Sequence, residues 1–166
     1  MSEAGPRLRI LFVCMGNICR SPTAEGMLRQ RLEEAGLSER IEVDSCGTGA
    51  WHIGEPPDPR AIEAAAARGI DIRELRGRQL AVSDFMAFDE ILVMDSDNLE
   101  RVMALKPTAS RARVNRLLGY AGQPDDDVPD PYFGGDAGFQ HVLDRIEAAV
   151  DGLVESLRRR VLVSHA

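Results

Sequence analysis

The sequence has few cysteines and no long hydrophobic run. Its 3 cysteines among 166 residues are too few for a disulfide framework, so we expect a reducing, cytoplasmic environment. None of the apolar stretches is long enough to cross a membrane. Residues 1–9 also lack the apolar segment that a signal peptide needs. The sequence therefore predicts a protein that has no membrane partner.

An excess of positive charge is also missing. The chain carries 27 acidic and 20 basic residues, a net charge of −7, which argues against nucleic acid as a partner. No pair of its cysteines and histidines has the spacing of zinc ligands. Gly47-Thr48-Gly49 lacks the third glycine of a dinucleotide fingerprint, because position 52 is histidine. We therefore expect neither a metal ion nor another cofactor.

The length and the order of the predicted elements indicate an α/β fold. A chain of 166 residues, 44% of them hydrophobic, is long enough for one substantial core. We expect a single domain over residues 1–166, with a loose N-terminus at 1–6. Predicted strands alternate with predicted helices, which is typical of a parallel sheet covered by helices on both faces. The strands are predicted at 8–13, 41–45, 90–94 and 114–118, and the helices at 21–35, 58–69, 79–85, 139–157 and between a cap at 96 or 97 and Pro107.

The most informative stretch links the first strand to the first helix. Residues 8–13 end in a continuous apolar run, and Cys14 then begins a loop that ends at Arg20. Ser21 is a favourable N-cap, and Pro22 suits the first helical position, where its missing N–H costs nothing. The pattern predicts a buried strand, a tight loop and a helix start in immediate succession.

This arrangement suits a tetrahedral oxyanion. Backbone N–H groups at a helix N-terminus carry a partial positive charge, and a loop that feeds the helix can turn more N–H groups towards the same point. The Arg20 guanidinium can hold two oxygens at once. Cys14 is placed under the same anion site, where these groups favour its thiolate and Ser21 can donate a hydrogen bond to it. Phosphate and a nucleophile at one place indicate phosphoryl transfer through a cysteinyl-phosphate.

Residues 14–26, CMGNICRSPTAEG, resemble the signature loop of the low-molecular-weight protein tyrosine phosphatases. The resemblance covers nearly the whole chain, and it implies a four-stranded parallel sheet with a phosphate-binding loop after strand 1. It implies Cys14 as the nucleophile and Arg20 as the phosphate clamp. The other loop residues that it assigns to phosphate binding are Met15, Gly16, Asn17, Ile18, Cys19 and Ser21.

A second motif, Asp130-Pro131-Tyr132, offers a general acid. From the residues alone it could equally be a turn, and the aspartates at 125–127 compete for the role. A carboxylic acid on a loop can protonate a phenolate leaving group and then take a proton from the hydrolytic water. Pro131 favours an extended Asp130, which limits where the carboxyl group points. The resemblance implies that Asp130 is the general acid and base.

Trp51 and Tyr132 are the aromatic residues expected outside the core, because both fall on predicted loops. Together they would form an apolar slot for a phenyl ring. Trp51 could instead cap the core. The resemblance implies that both residues line the substrate pocket. Phe133 follows Tyr132 where many relatives have a second tyrosine, which argues against regulation that needs tandem tyrosines.

Five further residues bear on the support and chemistry of the loop. Asn17 tolerates a left-handed backbone, and the resemblance implies that it ties the loop to the Ser45 hydroxyl. Asp95 matches another supporting position of the family. Leu75 stands where many relatives have a histidine, so a supporting hydrogen bond is missing or replaced. For Cys19 two interpretations stay open, a packed thiol or a partner for a reversible disulfide with the nucleophile.

The sequence is therefore interpreted as a protein tyrosine phosphatase that acts on a phosphotyrosine protein or an aryl phosphate, releases inorganic phosphate, and is a monomer or a weak homodimer. Three alternatives remain. An arsenate reductase of this fold needs further cysteines, but none follows Cys46. A protein arginine phosphatase has threonine where this chain has Ile18. An inactive phosphotyrosine-binding module would not need intact Cys14, Arg20 and Asp130.

Overall fold

The computed structural model describes residues 7–131 and 136–165 of the chain. The N-terminal segment 1–6, which is predicted to be loose, lies outside these residues. The strands are β1 Leu8–Cys14, β2 Ile41–Gly47, β3 Glu90–Val93 and β4 Arg113–Arg116. The α-helices are α1 Arg20–Glu34, α2 Pro59–Ala66, α3 Asp84–Ala87, α4 Ser96–Leu105 and α5 Asp136–His165, and a short 3₁₀ helix spans Leu117–Ala121.

The strands form one parallel sheet in the order β2-β1-β3-β4. β1 lies inside the sheet, where Phe12 pairs with Ser45 of β2 on one side and with Leu92 of β3 on the other. Its residues Ile10 to Val13 are fully buried, because a central parallel strand is covered on both faces. The predicted four-stranded parallel sheet is confirmed, and the carboxyl ends of its strands meet at one edge.

The side chains of β1 alternate between two parts of the core. Ile10 and Phe12 pack in the larger part with α1, α2 and α5, whereas Leu11 and Val13 pack in the smaller part with α3 and α4. Helices therefore cover both faces of the sheet, as predicted. Each buried side chain of this size contributes about 1.5–3 kcal/mol, which anchors β1 and the loop that follows it.

The helix predicted at 79–85 is wrong for most of its length. Gln79 instead forms a parallel bridge with Gly47, the last residue of β2. The N–H of Leu80 donates to the Gly47 carbonyl at 2.8 Å, and the N–H of Gly47 donates to the Arg78 carbonyl at 2.9 Å. This pairing with β2 keeps the segment extended, and only α3 remains of the helix.

Two helix N-caps also differ from the prediction. α1 begins at Arg20, so Ser21 lies in its first turn, and the Ser21 hydroxyl faces the sulfur of Cys14 instead of capping the helix. α4 is capped by Asp95 rather than by either of the two residues that follow it. The Asp95 carboxylate accepts a hydrogen bond from the Asn98 N–H at 2.7 Å.

Element boundaries shift elsewhere by a few residues. β2 runs two residues beyond its predicted end, whereas β4 stops at Arg116 because the chain turns into the 3₁₀ helix. α5 begins at Asp136 and ends at His165, so it extends beyond the predicted helix 139–157 at both ends. Among the helices that the structure describes, none is both long and apolar enough to cross a membrane.

Candidate active site

A cavity opens at the carboxyl end of β1, the edge at which open parallel sheets hold their ligands. Its volume is about 240 Å³. The structure brings the loop after β1, Trp51 and Asp130 together around this space. The residues that line it are Cys14, Met15, Gly16, Ile18, Cys19, Arg20, Trp51, His52 and Asp130.

The loop turns its backbone towards the sulfur of Cys14. Asn17 has a φ of 58°, the left-handed conformation that asparagine tolerates. Its backbone N–H donates to Cys14 Sγ over 3.3 Å. α1 begins directly after the loop, so the positive end of the helix dipole lies beside the cavity. This backbone arrangement can hold an anion next to the sulfur.

The Asn17 side chain ties the loop to two serines and to a neighbouring segment. Its Nδ2 donates to Ser21 Oγ at 2.8 Å and to Ser45 Oγ at 3.0 Å. Its Oδ1 accepts a hydrogen bond from the Arg78 N–H at 3.0 Å. Ser21 Oγ in turn lies 3.0 Å from Cys14 Sγ. The loop, β2 and the segment that carries Arg78 are therefore held in one hydrogen-bonded unit.

The guanidinium of Arg20 is fixed inside the cavity wall, with 2% of its side chain exposed. Its Nη1 donates to Asp95 Oδ2 at 2.6 Å and to the Val128 carbonyl at 2.8 Å, and its Nη2 lies 3.5 Å from Asp130 Oδ2. Burial alone would lower the pKa of Arg20, but Cys14 and Asp95 outweigh it and raise that pKa above its ordinary value. A permanent cation is thus available for phosphate oxygens.

Asp130 is the aspartate of its segment that lines the cavity. Its side chain is 28% exposed, so it can reach both the cavity and solvent. Asp126 pairs with Arg145 at 3.3 Å and Asp127 pairs with Arg116 at 3.4 Å, and neither lines the cavity. The geometry therefore favours Asp130 over the competing aspartates as a proton donor.

Trp51 forms the rim of the cavity and does not cap the core, since 65% of it is exposed. Its ring lies against Gly49, where an added Cβ would come within 1.8 Å of a ring carbon. Glycine at this position lets the indole lie on the backbone. Ile53, two residues further along the chain, is also exposed. Tyr132, the second predicted aromatic residue of the pocket, is outside the described part of the chain.

His52 also lines the cavity, and it is not among the predicted site residues. The Cδ2 edge of its ring lies 3.1 Å from the place that a Cβ on Gly16 would occupy. Its Nδ1 is 2.9 Å from Glu55 Oε1, so the carboxylate holds the ring against the loop. One sequence feature could have indicated a site role for His52: it directly follows Trp51, on a loop that is predicted to line the pocket.

Support for Asn17 comes from Arg78 and not from the position of Leu75. Leu75 is partly buried and packs against the larger part of the core. The Arg78 N–H serves Asn17 Oδ1, and the Arg78 side chain is anchored by Asp44 at 3.0 Å and by Asp84 at 3.1 Å. The pairings of Arg78 with Asn17 and with Asp44 cross 61 and 34 residues of sequence, which is why local patterns did not reveal them.

All three cysteines are buried and free. Burial raises the pKa of Cys19 and of Cys46 well above the ordinary thiol value, so both are protonated near neutral pH. Cys19 thus has a free, buried thiol, and both of its interpretations, a packed thiol and a partner of Cys14 in a reversible disulfide, stay open. Within residues 7–131 and 136–165, no cluster of three histidine, cysteine or acidic side chains is arranged to hold a metal ion.

Comparisons with known proteins agree with this geometry. Residues 9–163 match the family model described as low molecular weight phosphotyrosine protein phosphatase. A protein of that name from Schizosaccharomyces pombe is 50% identical over 135 residues, which are 80% of this chain and 85% of the relative.

Two solved structures are similar over nearly all of their length. The crystal structure of YfkJ from Bacillus subtilis has a TM-score of 0.88 and 36% identity, and the match covers 95% of this chain and 99% of that one. A Drosophila arginine phosphatase has a TM-score of 0.83 and 30% identity, with 90% and 98% covered. On the family match and these relatives, the chain belongs to the low molecular weight phosphotyrosine protein phosphatase family.

Proposed function

We propose that the protein hydrolyses phosphotyrosine in proteins through a cysteinyl-phosphate, without a metal or cofactor. One observation carries the proposal. The nucleophilic sulfur of Cys14 accepts from the Asn17 N–H at 3.3 Å and lies 3.0 Å from Ser21 Oγ, in a cavity that also contains the cation of Arg20 and the carboxyl group of Asp130. Nucleophile, anion site and proton donor thus share one small space.

In the first step the Cys14 thiolate attacks phosphorus and the bond from phosphorus to the tyrosine oxygen breaks. Asp130 gives its proton to that oxygen, because a neutral phenol leaves more readily than a phenolate. Arg20 and the loop N–H groups hold the remaining phosphate oxygens, whose charge develops in the transition state. The products of this step are tyrosine and a phosphorylated Cys14.

In the second step water attacks the phosphorus of the cysteinyl-phosphate. The Asp130 carboxylate takes the proton of that water, the sulfur–phosphorus bond breaks, and inorganic phosphate leaves. The departing Cys14 sulfur regains its negative charge, and hydrogen bonds from the Asn17 N–H and the Ser21 hydroxyl stabilise that charge. The enzyme then returns to its starting protonation state.

The cavity walls favour an aromatic phosphate ester. Met15, Ile18 and Trp51 offer apolar surface on which a phenyl ring can pack. A short phosphoserine side chain would reach the anion site without filling this slot. The proposed substrate is therefore a phosphotyrosine protein. The proposal also places the reaction in the cytoplasm, on one catalytic domain that acts as a monomer or a weak homodimer.

An arginine phosphatase is the second candidate, because a similar solved structure carries that name. The residue that argues against it is Ile18, which lines the cavity with an apolar side chain and offers no hydrogen bond to a guanidinium group. An arsenate reductase would need a further cysteine to relay a disulfide, and none follows Cys46 in the sequence.

The test compares phosphotyrosine, phosphoserine and phosphoarginine peptides as substrates in the presence of a metal chelator. We expect turnover of phosphotyrosine by the wild type and none by Cys14→Ser. Preference for phosphoarginine would mean that the second candidate is correct. Binding of phosphotyrosine without turnover would identify an inactive binding module.

A further inference from the structure

Glu25 is a buried carboxylate that the proposed chemistry does not use. It lies on α1 with 2% of its surface exposed. Its Oε1 accepts a hydrogen bond from Ser45 Oγ at 2.7 Å, and its Oε2 accepts one from Arg29 Nε at 2.9 Å. Burial raises the pKa of Glu25, while Ser45 and Arg29 favour its ionised form and Asp44 opposes it. Carboxylates are seldom fully buried unless they are paired, so a buried and hydrogen-bonded one such as Glu25 has a role inside the protein.

The hydrogen bonds that join Glu25 to the nucleophile have a defined direction. The Arg78 N–H can only donate, so the atom of Asn17 that faces it is the amide oxygen. The Asn17 NH₂ group must then face the two serines, and it donates one hydrogen bond to each of them. Both Ser45 and Ser21 are therefore acceptors towards Asn17, and their own protons point elsewhere.

Each serine proton has a preferred acceptor. The Ser45 proton goes to Glu25, because an ionised carboxylate only accepts. The Ser21 proton can go to Cys14 Sγ at 3.0 Å or to the Cys46 carbonyl at 3.3 Å. A thiolate is the charged and therefore stronger acceptor of the two. The network thus ends with a hydroxyl donor aimed at the nucleophile.

We propose that Glu25 is a positioning residue for the nucleophile: by taking the Ser45 proton it keeps Ser45 an acceptor for Asn17, and so directs the Ser21 hydroxyl at Cys14. Without that acceptor the Ser45 proton competes with the Asn17 NH₂ group for the same space. Asn17 then loses one of the bonds that fix its left-handed backbone. Arg29 is the counter-ion that favours the ionised form of Glu25, with its Nη2 at 2.7 Å from Glu25 Oε2.

The test reads out the Cys14 thiolate directly, through its rate of alkylation by iodoacetamide between pH 5 and 9, with the modified residue located by mass spectrometry. We expect Glu25→Met and Ser45→Ala each to lower the rate at pH 6 by about tenfold, the size of one lost hydrogen bond to a charged group. Glu33→Gln, on the exposed side of the same helix, should match the wild type.

A double variant separates positioning from mere support of the fold. If Glu25 acts through Ser45, Glu25→Met has no further effect on alkylation in the Ser45→Ala background. Additive effects, or an unchanged rate in Glu25→Met, would overturn the proposal. Arg29→Met provides a second route if Glu25→Met does not fold, because the Arg29 side chain is 55% exposed. It should lower the rate in the same direction, and an unchanged rate there would count equally against the proposal.

The same variants should lower kcat for phosphotyrosine peptides more than they raise KM. The reason is that the Ser21 hydroxyl donates a hydrogen bond to the sulfur when the sulfur leaves phosphorus. This second readout rests on the proposed function, whereas alkylation does not. Absence of wild-type turnover together with a shifted alkylation profile would therefore reject the phosphatase proposal and keep the role of Glu25. Normal wild-type turnover with an unshifted alkylation profile in the variants would keep the phosphatase proposal and reject the role of Glu25.

Discussion

The carboxylate of Asp95 binds Arg20 with one oxygen and caps α4 with the other. Oδ2 accepts from Arg20 Nη1 at 2.6 Å, and Oδ1 accepts from the Asn98 N–H at 2.7 Å. One side chain therefore links the phosphate clamp to the start of a helix. Because the two oxygens have separate partners, substitutions can remove one contact and keep the other.

Asp95→Asn should lower kcat/KM by about tenfold while leaving the unfolding temperature nearly unchanged. Asparagine caps a helix as well as aspartate does, but its amide cannot replace the charged contact to Arg20. Asp95→Ala removes both contacts and should also cost about 1 kcal/mol of stability. Steady-state kinetics and thermal unfolding of both variants provide the check. Equal loss of stability in the two variants would contradict the division of roles.

Asp130→Asn should reduce kcat/KM for phenyl phosphate, which reports the step in which the leaving group departs, by about 10²–10⁴-fold, the usual contribution of a general acid. The loss should be smaller for an aryl phosphate whose leaving group is already a weak base, because it needs less help from a proton. Asp125→Asn is the matched control, since Asp125 is exposed and outside the cavity. Similar losses for both leaving groups would rule out proton donation by Asp130.

Trp51→Ala should raise KM for a phosphotyrosine peptide by about tenfold and change kcat little, because an exposed rim residue contributes packing area to the bound ring. The unfolding temperature should stay the same, since the side chain is 65% exposed. Gly49→Ala should have a related effect, because the new Cβ displaces the indole. A large fall in kcat at unchanged KM would contradict a rim role for Trp51.

A partly buried cluster at the opposite edge of the sheet should respond to alkaline pH. The Tyr120 hydroxyl donates to Glu90, and Arg160 Nη1 donates to the same carboxylate at 2.8 Å. Burial and the bond to Glu90 raise the pKa of Tyr120 above its ordinary value of 10.0. An unfolded tyrosine loses its proton first, so the stability from this hydroxyl is complete below pH 10 and declines as pH rises further.

Tyr120→Phe keeps the ring and removes only the hydroxyl, so it tests this cluster specifically. We expect a loss of about 1–2 kcal/mol at pH 7.5, measured by urea unfolding, because a buried carboxylate loses one donor. The difference between the variant and the wild type should shrink at pH 10.5. Phosphatase activity at pH 7.5 should be unaffected, because Glu90 begins β3 and the cavity lies at the other end of the strands. A difference that grows with pH would show that the sign is wrong.

The parts of the site that depend on short-range sequence were predictable. The strand, the loop from Cys14 to Arg20 and the helix that follows are one continuous stretch, so apolar patterning and spacing were enough to place them. The left-handed backbone of Asn17 follows from its residue type. Asp130 could not be chosen over its neighbours by pattern, and the resemblance to a known family was needed.

The parts that depend on long-range contacts were not predictable. The residue type and position of Ser21 predict an N-cap, but its hydroxyl instead forms a hydrogen bond with the sulfur of Cys14. Residues 79–85 have a helical pattern, yet pairing with the end of β2 outweighs it. Glu25 belongs to the recognised stretch, but its importance depends on Ser45, which lies 20 residues away.

The turn that carries Trp51 is separate from the elements that hold Cys14. Cys14 ends a strand with neighbours on both sides, whereas residues 51–54 form an exposed turn in which the Gly54 N–H donates to the Gly77 carbonyl at 2.8 Å. Recognition and reaction are thus assigned to an exposed turn and to a buried strand end. The exposed side chains of Trp51 and Ile53 can be exchanged without removing a hydrogen bond that holds Cys14. Selection, or a library restricted to the turn, can therefore alter which phosphoproteins are accepted while leaving the chemical step intact.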